Sequence, residues 1–168
     1  MKKPCYDLNI LTEVPNPLLV VLEDLQDPGN VGTILRTAEG AGVNGVLVSR
    51  NTVDLFHPKV IRATMGSIYR MPFFVAEDMK ETIQLLKKAN IKVFAAHLRG
   101  INSYDEEGYL GGTAFLIGNE GNGLSDELTC QADCLIHIPM EGQVESLNAA
   151  MSAGILMYEA GRQRRKKV

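Results

Sequence analysis

Apolar residues in this chain come in short blocks, divided by polar stretches that carry glycine, proline, aspartate and asparagine. The blocks "LLVVL" (18–22), "GVLVS" (45–49), "PFFVA" (72–76), "IKVFAAH" (91–97), "TAFLIG" (113–118) and "CLIHIP" (134–139) predict six strands. Helical signals lie between them. Asn30 is expected to cap a helix running to about Ala41, with Gly42 behind it. "PKVIRATMG" (58–66) opens on proline and closes on glycine. Asp78 caps "MKETIQLLKKA", where Met79, Ile83 and Leu86 recur at helical spacing. "LSDELTCQA" reads as a short helix with an acidic first turn, and "SLNAAMSAGILMYEAGRQ" (146–163) as a closing one. Residues 1–17, with Pro4, Pro15 and Pro17 and little periodicity, read as a linker or amino-terminal arm before a single domain at 18–168. Strands that alternate with helices predict an α/β fold around a mainly parallel sheet.

In such sheets ligands sit at the carboxyl ends of the strands. Three polar loops fall there, at 23–30, 118–123 and 139–146. The second, "GNEGNG", places Gly118, Gly121 and Gly123 together, which suits either close approach of backbone to a ligand or a tight turn from strand to helix. A dinucleotide site would carry GxGxxG after the first strand; here the order is GxxGxG after the fifth, and no Walker lysine follows. Asn30 and Arg36 lie less than two helical turns apart, so both are expected to line one cleft. The plainer alternative for Arg36 is a surface pair with Glu39. "IPMEGQVESLN" (138–148) brings Glu141, Glu145, Ser146 and Asn148 near the start of the last helix, where Ser146 is also a candidate N-cap.

Composition narrows the class. The chain has 168 residues, 45% of them hydrophobic, and no apolar run approaching the roughly 20 residues that span a bilayer. "MKKPCYDLNILTE" lacks the apolar core of a secretory signal. Cys5, Cys130 and Cys134 make no disulfide framework. Cys130 and Cys134, four apart, read as half-buried thiols on one helix face rather than as a metal site. These features suggest a cytoplasmic protein with no metal and no membrane contact. A net charge of −3 does not mark a general polyanion binder, although the tail "RQRRKK" holds five of the seventeen basic residues.

Three stretches are recognisable together. "DPGNVGTILRTAEGAG" (27–42), "FLIGNEGNGLSDEL" (115–128) and "IHIPMEGQVESLNAAMSAGILMYEA" (136–160) resemble, in order, the three motifs of the SpoU-like branch of the SPOUT RNA methyltransferases. The resemblance implies a Rossmann-like α/β fold, helices on both faces of the sheet, a carboxyl-terminal trefoil knot and a homodimer. It implies S-adenosylmethionine as cofactor and an rRNA or tRNA ribose 2′-hydroxyl as acceptor. Carried over by position, Asn30, Arg36, Glu120, Ser146 and Asn148 would form the catalytic face, with Asn119 beside Glu120. Gly118, Ile138 and Leu147, with Met140 and Leu98, would hold the cofactor, largely through backbone groups. Longer relatives carry an amino-terminal RNA-binding domain, where this chain has only the arm.

The chemistry implied is alignment of oxygen, methyl carbon and sulfur, which contributes roughly 7–11 kcal/mol, with help for a departing proton. Arg36 reads as a grip on RNA phosphate, because an arginine is a difficult base; Glu120 is the more ordinary base candidate. Two other readings stay open on the sequence: an α/β enzyme using a nicotinamide dinucleotide, and a non-catalytic RNA-binding scaffold of the same fold.

Overall fold

The computed structural model describes residues 6–166; Pro4, Cys5 and Lys167 lie outside them. The expected strands form at Leu18–Leu22 (β1), Gly45–Ser49 (β2), Phe73–Ala76 (β3), Lys92–Ala96 (β4), Thr113–Ile117 (β6) and Cys134–His137 (β7). A two-residue strand, Asn102–Ser103 (β5), joins them. All pairings are parallel and the order is β3-β2-β1-β6-β4-β7-β5. β1, β2 and β6 are buried at every position, as unbroken apolar runs covered on both faces must be.

The alternation of side chains divides the core into two layers. Leu18, Val20 and Leu22 face one layer with Pro28–Ala41 (α2), Pro58–Thr64 (α3) and Ala149–Arg165 (α6). Leu19 and Val21 face the other with Leu8–Thr12 (α1), Met79–Lys88 (α4) and Asp126–Gln131 (α5). So part of the expected arm is a helix. Leu11 of α1 is buried against Gly45, where a side chain would stand 2.6 Å from the Leu11 Cδ2.

Two expected caps are displaced. Asp27, not Asn30, caps α2: its carboxylate accepts from the Asn30 N–H at 2.7 Å, with Pro28 in the first turn. Asn148, not Ser146, caps α6, accepting from the Ala150 and Met151 N–H groups. The cysteines separate as well, Cys130 lying on α5 and Cys134 opening β7. Among the described residues no helix is long and apolar enough to cross a membrane.

The basic tail is partly structural. Arg162 pairs with Glu159, its Nη2 2.6 Å from the carboxylate. Arg164 donates to the carbonyls of Tyr109 (2.9 Å), Asn16 (2.8 Å) and Gly111 (2.8 Å), which ties the end of α6 to two loops. Arg164→Ala removes three charge-assisted bonds and leaves those carbonyls without the guanidinium. The expected loss is about 2–3 kcal/mol, read as a fall of roughly 4–12 °C in Tm; an unchanged melt would mean the tie is idle.

Candidate functional site

Asn30 in the first turn of α2, Glu120 in the loop after β6 and Asn148 at the N-cap of α6 meet in one hydrogen-bonded chain at the carboxyl edge of the sheet. The Asn148 amide donates to Asn30 Oδ1 at 2.9 Å, and the Asn30 amide reaches Glu120 at 3.4 Å. Glu120 also accepts from the backbone N–H groups of Gln26 (3.1 Å) and Asp27 (3.0 Å). Its carboxylate thus staples the loop after β1 to the loop after β6. Partial burial pushes the Glu120 pKa up, but the hydrogen bonds from Gln26, its own backbone, Asp27 and Asn30 outweigh it and hold the carboxyl below its ordinary value. The charged, accepting form is therefore fixed at neutral pH, and the staple is lost only in acid, as pH falls through the lowered value of this carboxyl.

Asn119 organises the glycine loop. Its amide donates to the Asp24 carbonyl at 2.7 Å, while its Oδ1 accepts from the Gly121 and Asn122 N–H groups. Gly123 sits at φ 68, the left-handed region that favours glycine. Gly118 is demanded by the loop's own backbone: a Cβ there would lie 2.2 Å from both the Gly123 carbonyl carbon and the Leu124 nitrogen. The absence of a side chain at Gly118 is thus required by the loop itself, whatever lies against its open side.

Beside the chain of amides lies a cavity of about 810 Å³. Gly118, Ile138, Met140, Leu147 and Leu98 line it, with Asn30, Glu120, Ser146 and Asn148. Arg36 does not. At about 100° per residue, Asn30 and Arg36 stand roughly 120° apart around α2. Asn30 faces α6, and Arg36 lies exposed on the solvent side. Nor does Arg36 pair with Glu39, whose carboxylate is held by Arg70 at 2.5 and 3.0 Å and by the Ser67 hydroxyl. The expected shared cleft and the expected surface pair are both set aside.

Sequence reasoning passed over three residues of the wall, His97, Arg99 and His137. His97 and His137 end or follow apolar strands at the ligand edge of the sheet, which was the available signal. His137 Nδ1 is buried with no hydrogen-bond partner among the described residues. Nor does the backbone of residues 140–147 bond to backbone elsewhere in the described protein. An adenosyl group fits this wall, because its base edge and ribose need such uncommitted donors and acceptors beside apolar side chains. Among the described residues no cluster of three His, Cys, Asp or Glu side chains is placed to hold a metal.

The profile of the SpoU rRNA Methylase family matches residues 17–158. The 23S rRNA (guanosine(2553)-2′-O)-methyltransferase RlmP of Bacillus subtilis is 35% identical over 140 residues, covering 83% of this chain and 56% of that protein. The crystal structure of the SpoU methyltransferase AviRb from Streptomyces viridochromogenes superposes with a TM-score of 0.91 at 30% identity, over 98% of this chain and 66% of that one. An AdoMet-bound rRNA methyltransferase from Sinorhizobium meliloti gives 0.85 at 37% identity, over 90% and 59%. The chain thus spans between half and two-thirds of these proteins' lengths. Fold, motif order and matched span agree, and the chain belongs to the SpoU rRNA methylase family.

Proposed function

We propose that this chain transfers a methyl group from S-adenosylmethionine to a ribose 2′-hydroxyl of rRNA or tRNA. The observation that carries the reading is the Asn148–Asn30–Glu120 chain at the mouth of the cavity, one residue from each of the three motifs. When bound, S-adenosylmethionine supplies an activated methyl on a sulfonium that departs neutral. Gly118, Ile138, Met140, Leu147 and Leu98 would hold it, with Ser146 at the rim. The amides of Asn30 and Asn148 present fixed dipoles beside it, and Glu120 fixes their loops. Arg36, on the solvent face of α2, grips RNA phosphate and orients the ribose, and the phosphate takes up the hydroxyl proton. The test is tritium transfer from methyl-labelled cofactor to total RNA, followed by mapping of the modified nucleotide. No transfer to any RNA would favour the non-catalytic scaffold. The dinucleotide alternative has lost its ground, since Gly32 is used where α2 meets α3, with a Cβ position 2.4 Å from that of Ala63.

Glu120 acts as a staple and not as the base. Both of its oxygens already accept hydrogen bonds, from the Gln26 and Asp27 N–H groups and the Asn30 amide, so neither is free to take a proton from the ribose. Glu120→Gln should lower cofactor affinity and thermal stability while leaving the shape of the pH–rate profile near neutrality as in wild type. A general base would instead cost about 10²–10⁴-fold in rate and remove a limb of the profile.

The reading includes a homodimer, a threaded carboxyl-terminal segment and a cytoplasmic place beside RNA, with residues 18–168 as the catalytic unit and α1 docked on it. Met151 and Tyr158 of α6 are 60% and 48% exposed at a spacing of seven, next to the open side of α2. An apolar stripe of that kind suits a second copy. Sedimentation at micromolar concentration should give twice 18.4 kDa, and Met151→Asp with Tyr158→Asp should give the monomer.

A further inference from the structure

Outside the cavity, α3 and the turn that follows it present an orderly face. Lys59, Arg62, Met65 and Tyr69 are exposed, while Val60, Thr64, Ser67 and Ile68 are buried. Lys59 and Arg62, three apart, share one face of α3, and the exposed Met65 and Tyr69 extend that stripe along the turn and the short helical turn at Ser67–Tyr69. Met65 is 69% exposed and Tyr69 53%. Met65 and Gly66 adopt left-handed φ values of 50 and 90, which turn the chain at the end of α3 while keeping the thioether outside. The stripe adjoins α2, because the two helix backbones touch at Gly32, whose Cβ position lies 2.8 Å from the Val60 carbonyl oxygen.

Arg36 lies one turn beyond Gly32, on the α3 flank of the solvent side of α2. Among the described residues the side chains of Arg36, Lys59 and Arg62 make no ion pair. The carboxylate on that flank, Glu39, is already neutralised by Arg70, 2.5 Å away, and bonded by Ser67. A chain with a net charge of −3 therefore carries three uncompensated cations and a bare tyrosine ring together, beside the helix that opens the reaction site. Cations alone would suit any acidic surface. Cations interleaved with an exposed ring suit a nucleic acid strand, whose phosphates and base faces alternate.

We propose that this stripe is the track for the RNA strand next to the target nucleotide. Arg36, Lys59 and Arg62 take phosphates, and Tyr69, flanked by Met65, stacks an unpaired base. The proposal rests on the reading of RNA as substrate, and binding measurements separate the two. The probe is a fluorescein-labelled RNA hairpin with a single-stranded loop, titrated with the full chain at several salt concentrations. Lys59→Ala with Arg62→Ala should lower the slope of log K against log salt by about 1.4, at roughly 0.7 per phosphate on a single strand. Tyr69→Ala should weaken binding about tenfold with the slope unchanged, and Tyr69→Phe should bind as wild type. Lys88→Ala, on α4 across the sheet, should change neither quantity, and every variant should bind S-adenosylmethionine as wild type by calorimetry. Wild-type slope in the double variant, or wild-type affinity in Tyr69→Ala, overturns the track while leaving RNA as substrate. A wild-type chain that ignores the hairpin but binds polyglutamate overturns both.

Discussion

Gly118→Val is expected to lose about 3–5 kcal/mol of folding free energy and to melt far below wild type even with no cofactor present. The reason is local and steric. The first side-chain atom at 118 would come within 2.2 Å of the Gly123 and Leu124 backbone, and within 2.7 Å of the Gly123 carbonyl oxygen. Backbone cannot rotate out of the way as a side chain can. The loop is also fastened, by mutual Asn119 and Gly123 backbone bonds at 3.2 and 2.9 Å and by the Asn119 amide on Asp24. Relief requires breaking these bonds, and a domain of this kind has only about 5–15 kcal/mol in hand. Gly118→Ala should be nearly as harmful, since alanine carries the same offending atom. Gly121→Ala, with 3.5 Å to the Asn119 Oδ1, should cost much less. The rival account, in which Gly118 only admits the cofactor, predicts normal melts and lost binding for Val and Ala. Thermal denaturation with and without S-adenosylmethionine decides between them.

The contrast at Gly118 shows what kind of information the sequence holds. The central strands were readable because a parallel strand covered on both faces must be an unbroken apolar run, as Leu18–Leu22 and Thr113–Ile117 are. The loops that carry the site were readable for the same reason, being what lies between such runs at one edge of the sheet. Contacts between distant residues were not. α1 has only two buried apolar residues, Leu8 and Leu11, too few to show a period, and its docking depends on the missing side chain of Gly45. Glu39 has a basic neighbour three residues back, yet it bonds to Arg70, 31 residues away. Glu120 looked like a base because a carboxylate in a polar loop is one by default. Its partners are the N–H groups of Gln26 and Asp27, more than 90 residues earlier, and they turn it into a staple. Local pattern thus located the site, while the roles inside it were set by partners far along the chain.

Arg36 carries the sharpest consequence of that distinction. It shares a helix with Asn30 but not a face, and it stands outside the cavity that the other site residues line. In the proposed reaction a cation so placed meets RNA and not cofactor. Arg36→Ala should therefore slow single-turnover methylation of the mapped RNA by about 10²–10³-fold, the usual cost of removing one preorganised charge from a developing transition state. Calorimetry should give S-adenosylmethionine affinity within twofold of wild type, or about 0.4 kcal/mol. Stability should also hold, because the arginine is exposed and Glu39 keeps its own partners without it. Arg36→Lys should recover little of the rate. An ammonium is a compact charge and cannot offer the planar, two-pronged grip that matches a phosphate. If both variants methylate at the wild-type rate, Arg36 is a solvated surface residue. If both instead lose cofactor affinity along with rate, α2 is distorted and the residue is structural. Only lost rate with cofactor affinity kept, and poor rescue by lysine, fits a guanidinium that holds the RNA backbone while the ribose hydroxyl is aligned with the methyl group.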